Sequence, residues 1–106
     1  HKMKVMREET FGPVAPLMKF KSLEEAISLA NDSPYGLAAY VFTSDLKTAL
    51  LAAEGLEAGG IGVNVNNVVD LQAPFGGWKE SGLGRELGRW GLEAYMETKH
   101  IRLGMG

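Results

Sequence analysis

The stretch PFGGWKESGLGRELGRWGLEAYMETK, Pro74 to Lys99, holds six of the chain's 14 glycines, all between Gly76 and Gly91. Phe75, Trp78, Leu83, Leu87, Trp90, Leu92, Tyr95 and Met96 stand among or just after them. A flexible linker does not carry so many large apolar groups. Glycine among them marks backbone packed close to a neighbouring segment. Equally informative is an absence: the 106 residues contain no cysteine. Disulfides and thiolate metal ligands are therefore excluded.

Upstream of the block, helical and extended patterns alternate. Met3 to Met6 reads as the end of a strand. Val14 to Phe20 reads as an extended stretch that Pro16 confines to an edge or a bend. Ser22 and Glu25 have capping-box spacing, and Leu23, Ala26, Ile27 and Ala30 share a helical face. The run from Asn31 to Gly36 is rich in helix breakers. Leu37 to Thr43 reads as a buried strand and Ile61 to Val65 as another strand. Between them lies a helix capped by Ser44, with Leu46, Ala49, Leu50 and Ala53 on one face and Gly59-Gly60 ending it. A third helix is expected from Gly88 to about Thr98, then a terminal strand at Ile101 to Leu103. The order predicts an α/β fold with a largely parallel sheet and flanking helices.

A formal net charge of −2, from 11 basic and 13 acidic residues, is too balanced to imply nucleic acid or an anionic membrane as partner, and neither is expected. No apolar run approaches the roughly 20 residues of a membrane span, and no signal peptide is visible. With the missing cysteines this fits a cytoplasmic protein. At 106 residues the chain is one domain or a piece of one. It opens on His1 rather than Met, so a processed, tagged or excised chain is expected.

The glycine block fails as a phosphate loop: Gly77 and Gly82 have the spacing, but Leu83 stands where the lysine belongs. Gly88 is one position too far to complete a dinucleotide fingerprint from Gly82 and Gly84. His1 and His100 lie at opposite ends, with no metal-ligand spacing and no nucleophile arrangement. Ser81 reads as structural. Glu8-Glu9 reads as solvated surface, yet on an extended segment one carboxylate can face inward. An ionised carboxylate accepts hydrogen bonds only and suits a vicinal diol such as a ribose. Phe11, two residues on, points the same way. Asn64, Asn66, Asn67 and Phe75 flank the loop after a parallel strand, where open α/β sheets place ligands; turn-forming asparagines beside a core phenylalanine are the plainer reading.

Glu9-Thr10-Phe11-Gly12-Pro13-Val14, Asn31-x-Ser33-x-Tyr35-Gly36-Leu37-Ala38, Pro74-Phe75-Gly76-Gly77-x-Lys79-x-Ser81-Gly82-x-Gly84-Arg85-Glu86-x-Gly88 and Gly91-Leu92-x-x-Tyr95-x-Glu97-x-Lys99 occur in this order. Together they resemble the C-terminal part of the catalytic domain of NAD(P)-dependent aldehyde dehydrogenases, over essentially the whole chain. The resemblance implies residues 1–98 as that catalytic portion and 99–106 as a tail leading to an oligomerisation strand. It implies oxidation of a small-molecule aldehyde to a carboxylic acid through a cysteine thioester, with NAD or NADP as hydride acceptor. Glu9 is implied as the carboxylate on the nicotinamide ribose and Phe11 as the ring beside the nicotinamide. Phe75, with Val69, is implied as a wall of the aldehyde tunnel. The family's catalytic cysteine, general-base glutamate, oxyanion asparagine and dinucleotide domain have no counterpart here. A fragment is therefore expected: no catalytic residue of its own, no metal, no tightly bound cofactor, exposed apolar surface and self-association as a homo-oligomer. A non-enzymatic truncated paralogue acting as a binding or oligomerisation module is the alternative.

Overall fold

A computed structural model describes residues 2–106; His1 lies outside the described residues. One turn of 3-10 helix, Lys4–Met6, stands where a strand end is expected. No strand pairs with this segment among the described residues, so its backbone is satisfied locally. The N–H groups of Arg7 and Glu8 donate to the Lys4 carbonyl at 2.9 and 2.7 Å. Residues 7–22 are exposed throughout, and the extended strand expected over Val14 to Phe20 does not form. Pro13 and Pro16 each remove a backbone donor that a ladder would need.

The first helix, α1, spans Leu23–Asn31. Ser22 Oγ accepts the Glu25 N–H at 3.1 Å, and Glu25 Oε2 accepts the Lys21 N–H at 2.7 Å. The capping box thus forms with its return bond one residue upstream. Leu23, Ala26 and Ile27 are half-buried as expected; Leu29 takes the place of exposed Ala30. There follow β1 (Tyr35–Gly36), β2 (Ala38–Val41), α2 (Leu46–Gly55), β3 (Gly60–Val63), β4 (Trp78–Lys79) and α3 (Gly88–Glu93).

The α/β class is as read from the sequence, but the sheets are small and mixed. β2 and β3 pair in parallel, Ala38 opposite Gly60 through Val41 opposite Val63. β1 and β4 pair antiparallel, Tyr35 opposite Lys79 and Gly36 opposite Trp78. The glycine block returns alongside the segment before β2, which makes this second ribbon antiparallel. α2 packs on both β2 and β3.

Asp45, not Ser44, caps α2: its Oδ2 accepts the Thr48 hydroxyl at 2.6 Å and the Thr48 N–H at 2.7 Å. Those two bonds, hydroxyl first, hold the Asp45 pKa below its ordinary value. A depressed folded-state pKa adds stability above the ordinary carboxylate range, and that stability is lost as pH falls through the depressed value. An NMR titration should place the Asp45 midpoint below that of an unstructured aspartate. Thr48→Ala should move it back up.

The buried side of α2 differs from the expected one. Ala49 and Ala52 are buried, while Leu46 and Leu50 are 73% and 56% exposed. The small residues face the strands and permit close approach; the leucines face a side that the described residues leave largely open. Among the described residues only Ala49, Ala52 and Ala58 form a buried apolar core. Accessible surface is 9064 Å², against about 5,800 Å² for a compact protein of this mass. The radius of gyration is 18.6 Å, against about 13 Å for a compact domain of this length. Much of the apolar surface that a closed fold would cover therefore faces outward.

α3 stops at Glu93 rather than near Thr98, and Leu92, Tyr95 and Met96 are exposed. Its apolar face meets no neighbouring layer that would reward further turns. The terminal strand expected at Ile101 to Leu103 is absent, because no strand within the described chain lies beside it. α3 begins at a strained position. Leu87 has φ 60° and ψ 170°, a region essentially reserved for glycine, at a cost of order 1–3 kcal/mol.

Candidate functional site

Two open clefts flank the point where the glycine block meets the strands. The first, about 530 Å³, is lined by Glu9, Asn31, Ser33, Glu57 and Ser81 among others. The second, about 1060 Å³, is lined mainly by apolar groups, including Leu71, Phe75, Leu87, Leu92 and Tyr95.

The wall between them is built by tight main-chain contacts. Phe75 and Glu86 exchange backbone bonds at 2.8 and 2.7 Å, which closes the glycine block into a loop and holds Phe75 half-buried. Arg85 Nη1 donates to the Gly77 carbonyl at 3.0 Å and to the Gly84 carbonyl at 2.6 Å. Ser81 Oγ accepts the Gly36 N–H at 2.9 Å, so Ser81 is structural. The close approach read from the glycines is direct at Gly59: a Cβ there would fall on the Gly76 carbonyl oxygen.

Lys79 joins the block to the C-terminal end of α1 and to the segment just after α2. Its Nζ donates to the carbonyls of Asn31 at 2.8 Å and Ser33 at 3.1 Å, and pairs with Glu57 Oε2 at 2.6 Å. Asn31 Nδ2 donates to the Gly55 carbonyl at 2.8 Å while Asn31 Oδ1 accepts the Glu57 N–H at 2.9 Å. Sequence reasoning assigned neither side chain this part, and nothing in their spacing marks it.

The four site residues named from the sequence do not converge. Glu9 lines the first cleft, and Phe75 the second. Phe11 is 94% exposed and lines neither. Val69 is 53% exposed and also lines neither; its N–H donates to Asn67 Oδ1 at 2.9 Å in a local turn. Asn64 is a clamp: its side chain accepts the Thr43 N–H and donates to the Thr43 carbonyl, both at 2.9 Å. The turn-forming reading of Asn64 and Asn67 is therefore the structural one. Among the described residues no group of three or more His, Cys, Asp or Glu gathers as metal ligands. Nor is any helix among them long and apolar enough to cross a membrane.

Glu9 and Phe11 are both exposed and present a hydrogen-bond acceptor and a ring face. An exposed acceptor-only carboxylate matches a diol, and an aromatic ring exposed to this degree is open to a flat partner.

Residues 1–101 match the profile of the aldehyde dehydrogenase family. The chain is 54% identical over 99 residues to an aldehyde dehydrogenase of Enchytraeus buchholzi, covering 93% of the chain and 20% of that protein. It is 52% identical over 99 residues to the human mitochondrial aldehyde dehydrogenase, covering 93% and 19%. The NAD+ complex of an aldehyde dehydrogenase from Bacillus cereus superposes with a TM-score of 0.94 at 45% identity, over 99% of the chain and 21% of that structure. The chain thus spans about a fifth of the length of the relatives it matches.

Proposed function

The chain belongs to the aldehyde dehydrogenase family, and on that premise we propose that it supplies the nicotinamide-side clamp and one tunnel wall of an NAD- or NADP-dependent enzyme. That enzyme oxidises a small aldehyde to a carboxylic acid in the cytoplasm. The observation that carries this reading is the pairing of a near-complete fold match with Glu9 and Phe11 left open to a ligand. The dinucleotide, when bound, supplies the hydride acceptor. Glu9 accepts hydrogen bonds from the ribose hydroxyls and so limits rotation of the ring they carry. Phe11 packs against the flat ring and excludes water from its face. Phe75 and Val69 shape the channel for the aldehyde chain. With no cysteine among 106 residues, the thiolate for covalent attack must come from outside this segment.

The 106-residue chain alone is therefore catalytically inactive and holds no dinucleotide tightly. Its open apolar faces favour homo-oligomers. The alternative of a non-enzymatic association module rests on the same surface excess.

Spectrophotometric NAD and NADP reduction across an aldehyde panel tests the reading. The isolated chain should show no turnover, with light scattering above the monomer mass. In the intact enzyme that carries this segment, Glu9→Gln should raise KM for the dinucleotide by about tenfold, the scale of one charge-assisted hydrogen bond. Turnover by the isolated chain, or an unchanged KM in the variant, would sink the proposal.

A further inference from the structure

We propose that Leu87 is a specificity-determining residue, its isobutyl group forming the wall opposite the aldehyde's carbon chain in the cleft that Phe75 lines. This rests on the tunnel reading of Phe75 given above. Three observations lead to it. Leu87 lines the same cleft as Phe75 and is half-buried there. It directly follows Glu86, whose backbone is paired with Phe75, so its main chain is held beside the segment that carries Phe75. Its φ of 60° and ψ of 170° belong to glycine, yet a large apolar side chain occupies the position.

The third observation decides between roles. A turn that needed only this backbone shape would be served best by glycine, as at the next residue, Gly88, with φ 55°. The main chain is anchored on both sides. Gly88 N–H donates to the Leu71 carbonyl at 3.0 Å, and a Cβ on Gly88 would lie 2.8 Å from the Gln72 carbonyl oxygen. The strain is thus imposed by the surroundings, while the side chain is what the position retains at that cost. Strain held in this way gathers at ligand-contacting positions. The other apolar side chains of the cleft, Leu37, Leu71, Leu83, Leu92, Ala94 and Tyr95, are all exposed. Leu87 is the half-buried aliphatic group that can oppose Phe75. The ligand class that fits is an aldehyde with an apolar chain, gripped between an aromatic and an aliphatic wall.

The test compares Leu87→Gly with Leu87→Ala in the intact enzyme, using acetaldehyde and hexanal. Glycine removes both side chain and strain; alanine removes the side chain and keeps the strain. Both variants should lower the hexanal-to-acetaldehyde ratio of kcat/KM by about tenfold or more, the scale of losing several methylene contacts in an apolar pocket. Leu87→Gly should also melt at a higher temperature than Leu87→Ala. A purely structural leucine would change both aldehydes alike, so an unmoved ratio overturns the proposal while leaving the function standing. If the unaltered enzyme oxidises no aldehyde, the function and this inference fall together. Should Leu87→Ala not fold, Leu87→Gly alone decides through the same ratio.

Discussion

Gly59→Ala should abolish cooperative folding. Gly59 lies just before β3 and donates its N–H to the Gly36 carbonyl at 3.0 Å. A Cβ there would fall on the Gly76 carbonyl oxygen and lie 2.8 Å from its carbon. Both atoms are backbone, held by the Phe75–Glu86 pairing and by Arg85 on the Gly77 carbonyl. No side chain can swing away to relieve the clash, so the glycine block must lift off the strands. Overpacking at this level costs about 3 kcal/mol or more. Among the described residues only three buried alanines form the apolar core, which leaves little reserve against such a loss. Gly12→Ala is the control, since a Cβ there meets only Thr10 Cγ2 at 4.0 Å. Urea titration of the protein, followed by circular dichroism, should give a lowered or absent transition for Gly59→Ala and an unchanged one for Gly12→Ala. Equal midpoints for the two would refute the close approach.

Lys79→Met should be the most damaging single removal of a charge. Methionine keeps most of the stem but leaves the carbonyls of Asn31 and Ser33 without their shared donor. Hydrogen bonds from a charged donor are worth about 1.5–3 kcal/mol each, so a loss near 2 kcal/mol is expected for this half-buried group. Glu57→Gln should cost well under 1 kcal/mol, because the pair is partly exposed and the amide can still accept from Lys79. Loss should appear first at the α1 end, as faster amide exchange around Asp32, whose N–H donates to the Ser28 carbonyl. If Glu57→Gln proves as costly as Lys79→Met, the ion pair and not the carbonyl bonds holds the block in place.

Much of the fold was legible because it rests on local rules. Ser22 with Glu25, the breakers after Asn31, and the short apolar runs of β2 and β3 each act over a few residues. What was missed involves direction. Helical spacing groups Leu46 with Ala49 and Leu50, but not which of them meets the strands; the close approach of α2 to β2 and β3 selects Ala49 and Ala52 instead. α3 and the segment around Ile101 fell short of their expected lengths because propensity without a neighbouring layer does not propagate a helix or strand. At the site, the resemblance named Glu9, Phe11, Phe75 and Val69, while Lys79, Asn31 and Leu87 emerged only from geometry. A lysine that caps a distant helix and a leucine in a glycine conformation carry no periodic signal.

The sequence by itself determined the α/β class, the caps and breaks of α1, the strands β2 and β3, the need for close backbone approach in the glycine block and the family. Each depends on residue type at short spacing or on motifs in order. Only the tertiary structure decided that the glycine block runs antiparallel to Tyr35–Gly36, that Gly59 is where it touches, that Lys79 joins it to α1, and that Glu9 and Phe75 face different clefts. Those contacts link residues up to 48 positions apart. Their geometry follows from which surfaces can approach once the helices and strands have formed, and short-range pattern does not encode that approach.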